Sequence, residues 1–320
     1  MSINIRNARG FIEGALRVKT KDSRIVPLKL NQPQERLYNA VKGQAKQQKP
    51  IRIIILKARQ MGFSTLTEAL IFHRTVTRRN VNSLIVAHKD ESSNNLFNMS
   101  KLFYENLPAE LQPMRKASNA RELVFENPTK SQVEKQRNPG LRSKIKIATA
   151  GGQGVGRSDT LQNVHISELA FWPGDKKDTL NGILQSVPNS QSTMVVIEST
   201  ANGFDHFKEL WDQAVAGESD FESLFFPWFD MQEYRVKVPP GFELTEEEEK
   251  LKEAFSLDNE QLAWRRWCIK NNCSGDLDLF KQEYPSTPGE AFLTTGTPVF
   301  DNDKVILRLN QLRAQYRDSP

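Results

Sequence analysis

Short apolar runs rich in β-branched residues, each followed by a stretch with helical spacing, leave few possible folds for this chain. The strongest run, Ile51–Lys57 (IRIIILK), is too short for a buried helix and is typical of a central strand. A turn containing Gly62 follows, and then a predicted helix over residues 65–77. This alternation predicts an α/β fold with a mostly parallel sheet and helices on both faces. Further predicted strands lie at residues 82–87, 121–126, 144–150, 163–168 and 193–199.

The pattern changes after about Phe229, where strand-like runs give way to charged stretches with helical spacing. In parallel sheets of this kind, ligands bind at the carboxyl ends of the strands, and the polar motifs below all follow predicted strands. We predict four segments: an N-terminal arm of short strands or loop at residues 1–30, the α/β core at 31–232, a small helical lid subdomain at 233–287 and a linker at 288–320.

The bulk properties exclude several classes of protein. With 38% apolar and 26% charged residues the chain is globular, and no stretch has the character of a membrane span or a secretory signal. We therefore expect a cytoplasmic protein without a membrane partner. Cys268 and Cys273 have no second Cys or His pair nearby, which argues against zinc and against a disulfide framework. The net charge of +5 is mildly basic, and the cationic stretch at residues 115–146 either faces DNA or is a solvated surface.

Residues 57–65 (KARQMGFST), which we call the phosphate loop, connect the strongest strand to its helix. A phosphate site needs converging backbone N–H groups, a cation and a hydroxyl at a helix N-terminus. The loop keeps the last glycine and the hydroxyl pair of the G-x-x-x-x-G-K-[ST] pattern, but Phe63 stands at the lysine position. Lys57 and Arg59, at the front of the loop, can supply the cation. An ordinary strand–helix turn with cations facing solvent is the alternative.

Two later strands also end in polar residues. ATP hydrolysis needs a carboxylate near the end of a neighbouring strand to polarise the attacking water, and Glu168 meets this requirement. Taken alone, Glu168 is more typical of an acid that begins a helix. The next strand ends in hydroxyls, an amide and a glycine (STANG, residues 199–203), a pattern that by itself is typical of a helix cap.

In their order and spacing, these motifs resemble those of the ATPase domain of tailed-phage terminase large subunits, which are DNA-packaging motors. KARQMGFST is similar to their deviant Walker A loop, in which Arg-Gln precedes the glycine. The resemblance implies a P-loop NTPase fold of the RecA/ASCE type, with ATP and Mg²⁺ as cofactors. It implies that Ser64 binds Mg²⁺, that Thr65 contacts the α-phosphate and that Lys57 or Arg59 is the main phosphate cation. We favour Arg59 for the γ-phosphate because its fork can bind two oxygens. The implied nucleotide-binding residues are Gln34, Lys57, Ala58, Arg59, Gln60, Met61, Gly62, Phe63, Ser64 and Thr65.

The segment at residues 161–168 (LQNVHISE) resembles the terminase Walker B motif, which normally ends in Asp-Glu. Glu168 then matches the catalytic glutamate. Ser167 replaces the metal-binding aspartate and would at most contact a ligand of Mg²⁺ rather than the ion itself. Weakened Mg²⁺ affinity is the implied consequence. We interpret His165 as a packed strand residue rather than a ligand or base. The segment at residues 197–203 resembles motif III, which implies a phosphate sensor; its candidate residues are Ser199, Thr200 and Asn202.

Two further residues match positions of the same family. Arg157, in a glycine-rich stretch before the Walker B-like segment, resembles the arginine finger that ring-forming terminases project into a neighbouring site. Arg142 is the second candidate, and a flexible loop whose arginine touches DNA is the alternative. Gln34 resembles the glutamine that reads adenine, because an amide can donate and accept at once; a surface glutamine is the alternative.

The resemblance implies an ATP-hydrolysing motor that moves double-stranded DNA into a procapsid in the host cytoplasm. Its implied partners are the portal protein, the small terminase subunit and further copies of this chain in a ring, although an isolated domain can be monomeric. Residues 292–301 resemble the segment that leads to the terminase nuclease. Only nineteen residues follow Asp301, so we expect no nuclease activity and interpret Asp301 and Asp303 as linker acids.

Two other functions stay open from the sequence. A nucleic-acid helicase would need a second nucleotide-binding core with its own arginine motif, and residues 205–320 offer none. A nucleotide-binding scaffold without catalysis is favoured by Phe63 and Ser167, which depart from the usual motifs. DNA-stimulated phosphate release separates a motor from a scaffold, and duplex unwinding separates a helicase from a packaging motor.

Overall fold

The computed structural model describes residues 4–152, Val155 and residues 159–293. Eight of the strands in these residues form one sheet, which confirms the expected α/β fold with mostly parallel strands. The strands are β1 (Arg17–Lys19), β2 (Ile25–Pro27), β3 (Ile51–Lys57), β4 (Asn82–Ala87), β5 (Ala117–Ser118), β6 (Glu122–Glu126), β7 (Gly140–Thr149), β8 (Asn163–Ser167), β9 (Met194–Ser199) and β10 (Glu222–Phe226).

The order across the large sheet is β10, β3, β9, β8, β4, β7, β6, β5. Strand β4 runs parallel to β7 and β8, and β8 runs parallel to β9, so these four strands end at one edge. Strands β5, β6 and β7 form an antiparallel extension, and β1 pairs separately with β2. Every residue of β8 and β9 is buried, including the polar side chains that alternate with Val164 and Ile166 in β8.

The described residues form eleven α-helices. They are α1 (Ala8–Ala15), α2 (Gln32–Lys46), α3 (Phe63–Val76), α4 (Asp90–Glu105), α5 (Gln132–Arg137), α6 (Lys176–Gln185), α7 (His206–Ala216), α8 (Glu246–Phe255), α9 (Asn259–Asn272), α10 (Leu277–Glu283) and α11 (Pro288–Leu293). Helix α3 contacts α4 and strands β7 and β8. Its Phe72 lies against Phe103 and Phe125, with ring centroids 5.6 Å and 6.5 Å away. No helix in the described ranges is both long and apolar enough to cross a bilayer.

Helix α1 was not predicted, since the sequence favoured short strands or loop in the first thirty residues. Asn7 caps the helix by accepting a hydrogen bond from the N–H of Gly10. Phe11 and Ile12 are fully buried, and the Phe11 ring lies 5.0 Å from that of His73 in α3. The helix therefore depends on an apolar contact with α3. The mixed charge of the first thirty residues gives no helical pattern from which this contact could be predicted.

The described residues divide into two compact units. The first takes its residues from Met1–Ile55, Gly62–Ser199 and Gln213–Leu224, and so holds most of the sheet. The second takes its residues from Leu56–Met61, Thr200–Asp212 and Phe225–Pro320. The chain passes from the second unit to the first within the phosphate loop, between Met61 and Gly62.

An aromatic cluster forms the core of the second unit. The rings of Tyr234 and Trp264 are stacked with centroids 4.2 Å apart, and Trp228 stacks on Trp264 at 5.3 Å. Such rings bury large apolar areas and account for much of the stability of a small helical unit. Cys268 and Cys273 are buried free thiols, and burial raises the pKa of Cys268 to about 12.

Candidate functional site

Gly62 is the N-cap residue of helix α3, which begins at Phe63. Gly62 has a left-handed backbone with φ of 82°, and no side chain of the described residues caps the helix. The first N–H groups of a helix have no partner within it, and the helix dipole favours an anion there. The loop therefore presents backbone donors of the kind that bind phosphate.

Gln34 holds the loop from the side of α2. Its Nε2 donates to the carbonyl oxygen of Gly62 at 2.6 Å, and its Oε1 accepts from the N–H of Asn31 at 3.0 Å. Gln34 is only 5% exposed, and a Cβ on residue 62 would lie 2.7 Å from its Nε2. The amide keeps one further N–H and one lone pair, and its contact with adenine stays a prediction.

The side chains that follow Gly62 have different environments. Phe63, at the usual lysine position, is 1% exposed and belongs to the core. Ser64 and Thr65 are half-buried in the first turn of α3. The Ser64 hydroxyl donates to the Glu198 carboxylate, which stands near the carboxyl end of β9.

Glu198 belongs to a buried polar network that the sequence did not reveal. His165 donates from Nδ1 to Glu68 at 2.7 Å and from Nε2 to Glu198 at 3.0 Å, and all three side chains are 0% exposed. Burial lowers the pKa of His165, but the hydrogen bonds to Glu198 and Glu68 outweigh it and raise the pKa to about 9. The ring is therefore a cation at neutral pH. Burial raises the pKa of Glu68, and His165 partly offsets this.

Glu168 lies directly after β8, with a half-buried side chain. Its N–H donates to the Glu198 carbonyl oxygen at 2.7 Å, and its carboxylate accepts from the Ser199 hydroxyl at 3.4 Å. The backbone of Glu168 is left-handed, with φ of 53°, which is uncommon for a residue with a side chain. Glu198 thus contacts both the amino end of α3, through its carboxylate, and Glu168, through its carbonyl.

The oxygen donors at this edge fit Mg²⁺ better than a softer metal. Ser64 and Glu198 supply a hydroxyl and a carboxylate in contact with each other, and Mg²⁺ prefers such ligands together with phosphates and waters. Ser167 is buried on the neighbouring strand. In the part of the chain that the structure describes, no group of three or more His, Cys, Asp or Glu residues is arranged to hold a metal. A bound Mg²⁺ would therefore depend on nucleotide oxygens.

The front of the phosphate loop belongs to the second unit. Lys57 is 6% exposed at the end of β3. Arg59 forms a bidentate ion pair with Glu283. Its Nη2 donates to Oε1 at 3.0 Å, and its Nε donates to Oε2. Its N–H donates to the Glu283 carbonyl, and its own carbonyl accepts from the Tyr234 hydroxyl. The predicted γ-phosphate cation thus already has a carboxylate partner.

The remaining loop and sensor residues differ in burial. Ala58 and Met61 are buried, and Gln60 is exposed with a left-handed backbone, φ 54°. Among the sensor candidates, Ser199 contacts Glu168 in the first unit, whereas buried Thr200 and exposed Asn202 belong to the second.

Of the two arginine-finger candidates, only Arg142 belongs to the described residues. Arg157 lies outside the described residues, as do Asp301 and Asp303. Arg142 is exposed near the amino end of β7, at the edge of the sheet opposite to the carboxyl ends where Glu168 lies. It cannot serve the site of its own chain from there, and only a role towards another copy stays open.

Sequence reasoning missed Glu198, Glu68 and His88. The sequence could have indicated Glu198, because it is an acid in the apolar run MVVIES. If that strand is central, the buried carboxylate needs a hydrogen-bond or ion-pair partner. Glu68 stands four residues after Ser64 and so shares its face of α3. His88 follows β4 at the same edge; burial lowers its pKa, although the charge of Glu168 acts in the opposite direction.

Comparisons with known proteins bear on the fold. No protein-family model matches the sequence. The crystal structure of the HK97 bacteriophage large terminase is similar over 88% of this chain, with a TM-score of 0.58 and 17% identity. The Thermus phage P74-26 large terminase ATPase domain is similar over 80% of this chain, with a TM-score of 0.51 and 16% identity. The chain has the fold of a large terminase ATPase domain.

This chain covers different shares of the two similar proteins. This chain spans about half of the HK97 large terminase, 53% of its length, and 98% of the P74-26 ATPase domain. A mutant form of the P74-26 domain gives the same TM-score of 0.51, with 93% of that chain covered. The α/β fold with a mostly parallel sheet, which the terminase resemblance implies, is thereby confirmed.

Proposed function

We propose that this chain is the ATPase motor of a phage DNA-packaging terminase, which hydrolyses ATP to move double-stranded DNA into a procapsid in the host cytoplasm. One observation carries the proposal: Glu198 bonds both to Ser64 at the amino end of α3 and to the backbone of Glu168. The hydroxyl next to the phosphate-binding end of the helix and the carboxylate that would polarise water are thus joined through one residue. An ordinary strand–helix turn needs no such connection.

Each residue has a distinct role in the proposal. The backbone N–H groups at the start of α3 bind the phosphates, and Lys57 or Arg59 neutralises them. Glu168 accepts a proton from the attacking water and orients it towards the γ-phosphate. Mg²⁺, held by Ser64 and nucleotide oxygens, would neutralise charge on the phosphates when bound. Ser199, which donates to Glu168, couples the state of that carboxylate to the segment with Thr200 and Asn202.

The partners follow from the same proposal. We expect the chain to act with a portal protein on the procapsid, with a small terminase subunit and with further copies of itself in a ring. Arg157 is the first candidate for a finger that acts on a neighbouring copy. Mixing Arg157→Ala and Glu168→Ala chains tests this, because partial recovery of hydrolysis requires one chain to supply the arginine and the other the glutamate. No recovery would contradict action between copies.

The test of the proposed function is phosphate release by Glu168→Gln with and without double-stranded DNA. We expect turnover to fall by about 10²–10⁴-fold, because a general base is lost, while nucleotide affinity stays within the wild-type range. Glu105→Gln is the matched control, since Glu105 is an exposed acid at the end of α4, and it should keep full turnover.

The other outcomes identify the alternative functions. Nucleotide binding by the wild-type chain without DNA-stimulated phosphate release would indicate a scaffold. Unwinding of a DNA duplex in the presence of ATP would indicate a helicase. Full turnover by Glu168→Gln would remove Glu168 from the mechanism.

A further inference from the structure

We propose that Glu198 takes over the task of the aspartate that is missing at position 167: it accepts the proton of Ser64 and thereby turns the Ser64 oxygen towards Mg²⁺. This inference rests on the proposed function, since it assumes a nucleotide at the amino end of α3. It makes Glu198 a positioning residue that acts through Ser64.

The hydroxyl of Ser64 can act either as a hydrogen-bond donor or as a metal ligand. A hydroxyl has one proton and two lone pairs. Because Ser64 donates its proton to Glu198, both lone pairs stay available to a cation. Without an acceptor behind it, the hydroxyl could turn and donate its proton to a phosphate oxygen instead. A carboxylate in this place therefore decides whether Ser64 acts as a metal ligand.

The strand order places Glu198 next to the position of the missing aspartate. Strand β9 lies between β3 and β8 in the sheet, so its end is adjacent both to the strand that leads into the phosphate loop and to the strand that ends at Ser167. The registers pair Ser167 with Glu198. Residues 167 and 198 thus lie side by side on neighbouring strands, at the same edge of the sheet. A carboxylate on residue 198 can therefore replace one on residue 167.

His165 and Glu68 hold the Glu198 carboxylate in place. A buried carboxylate needs hydrogen-bond partners. His165 donates to Glu198 at 3.0 Å, and Glu68 accepts from the other nitrogen of the ring at 2.7 Å. Ser100 donates to Glu68 at 3.3 Å. The network thus fixes the direction of the acceptor behind Ser64.

The experiment measures how Mg²⁺ changes the affinity for a fluorescent, non-hydrolysable ATP analogue, so it does not depend on turnover. In Glu198→Gln we expect the Mg²⁺ concentration for half-maximal binding to rise by about 10–100-fold, as for other residues that orient metal ligands. Affinity for the analogue in EDTA should stay as in the wild type. Combining Glu198→Gln with Ser64→Ala should add nothing to the effect of Ser64→Ala.

Glu68→Gln is the matched control. It makes the same change of carboxylate to amide, its amide oxygen can still accept the hydrogen bond from His165, and Glu68 lies on the side of the ring away from Glu198 and Ser64. It should keep the wild-type Mg²⁺ dependence. A decisive rescue is Ser167→Asp in the Glu198→Gln chain, which should restore much of the Mg²⁺ dependence by returning a carboxylate to the neighbouring strand.

The outcomes separate the inference from the function on which it rests. Equal Mg²⁺ dependence in Glu198→Gln and wild type, or the same change in Glu68→Gln, would overturn the role of Glu198 while leaving the ATPase proposal intact. If the wild-type chain binds no nucleotide with Mg²⁺, both proposals fail. If Glu198→Gln does not fold, Glu198→Asp carries the test: a carboxylate withdrawn by one methylene should weaken the Mg²⁺ dependence, and an unchanged dependence would count against the proposal.

Discussion

At the carboxyl edge of the sheet, Gly62 and Glu168 have a left-handed backbone, with φ of 82° and 53°. Glycine adopts this conformation freely, but for a glutamate it costs on the order of 1–3 kcal/mol and persists only where neighbours hold it. The bond from the Glu168 N–H to Glu198 and the contact with Ser199 supply this restraint. Strain of this kind is concentrated at active sites, which agrees with the proposed role of Glu168.

Gly62→Ala should be destabilising for two separate reasons. An alanine is strained at φ of 82°, and its Cβ would lie 2.7 Å from Gln34 Nε2. We expect the free energy of unfolding to fall by about 1–3 kcal/mol and nucleotide affinity to fall with it. Urea denaturation and binding of the ATP analogue measure the two effects.

The control for this prediction is Gly43→Ala in helix α2, where an added Cβ meets nothing within 4 Å. It should be neutral, or stabilising by up to about 1 kcal/mol, because alanine is the better helix former. Adding Gln34→Ala to Gly62→Ala should not recover the wild-type stability, since the backbone strain remains. Equal effects at positions 43 and 62 would show that the loop tolerates a side chain.

At the scale of elements, charged contacts at helix ends fix the helices of the second unit. Helix α8 begins with a capping box in which Thr245 and Glu248 satisfy each other's backbone N–H groups, and Arg266 of α9 binds the same Glu248 carboxylate. Helix α10 ends at Glu283, which holds Arg59. The ends of these helices therefore position the front of the phosphate loop as well as one another.

The Glu248 contacts predict a pH dependence. The hydrogen bond from Arg266 is the largest effect, and it lowers the pKa of Glu248 from its ordinary 4.5 to about 2. The ionised form is therefore favoured by folding, so its contribution to stability is present above about pH 4.5 and is lost as the pH falls towards 2. Glu248→Gln should be less stable by about 1.5–3 kcal/mol at neutral pH, a typical value for a charged hydrogen bond.

Urea denaturation of both chains across this pH range measures the effect. The difference between wild type and Glu248→Gln should shrink below pH 4.5, because the wild-type carboxyl becomes neutral as well. Glu246→Gln is the control, since Glu246 is 83% exposed and pairs only at the surface with Lys250. A constant difference at every pH would contradict the assignment.

The Arg59–Glu283 pair predicts an effect on nucleotide binding. A carboxylate and a phosphate compete for the same guanidinium fork, so Arg59 must leave Glu283 if it is the γ-phosphate cation. Glu283→Gln should then tighten ATP binding by about two- to fivefold, the scale of a partly exposed ion pair. Isothermal titration calorimetry checks this, with Arg59→Gln as the variant that should bind ATP more weakly. Unchanged affinity in both variants would favour Lys57 as the phosphate cation.

At the scale of the whole molecule, the charge of +5 is unevenly distributed. A cavity of about 520 Å³ in the first unit is lined by Arg121, Lys144 and Lys146, and also by Asp90 and Asp159. Lys144 is paired with Asp159 at 2.9 Å, whereas Arg121 and Lys146 are exposed. If the basic stretch binds DNA, as the proposed function implies, we predict that these two cations contribute to the contact.

Replacing Arg121 and Lys146 together with alanine should therefore lower DNA-stimulated phosphate release and leave the basal rate unchanged. The slope of the salt dependence of DNA binding should become less steep by about 0.9 for each DNA phosphate that the variant no longer neutralises. A double alanine variant of Lys237 and Lys250, two exposed lysines of the second unit, is the control of equal charge. Equal losses in the two double variants would indicate a general charge effect, and no loss would indicate a merely solvated surface.

Much of the fold could be predicted because its signals are local. The run at Ile51–Lys57 and the helix after Gly62 depend on the spacing of neighbouring residues, and the structure places β3 and α3 there. Helix α1 escaped prediction because its stability comes from burying Phe11 and Ile12 against α3, a helix far along the sequence. Local spacing contains no information about that contact.

By itself the sequence determined the alternation of strands and helices, the glycine at the start of α3 and the presence of Glu168 after a strand, because each of these depends on a few adjacent residues. Only the tertiary structure decided that Glu68, His165 and Glu198 meet, and that Ser64 contacts the last of them. Those four residues come from one helix and two strands, and their meeting depends on strand order and register. Both are set by packing over the whole sheet, which no local pattern records.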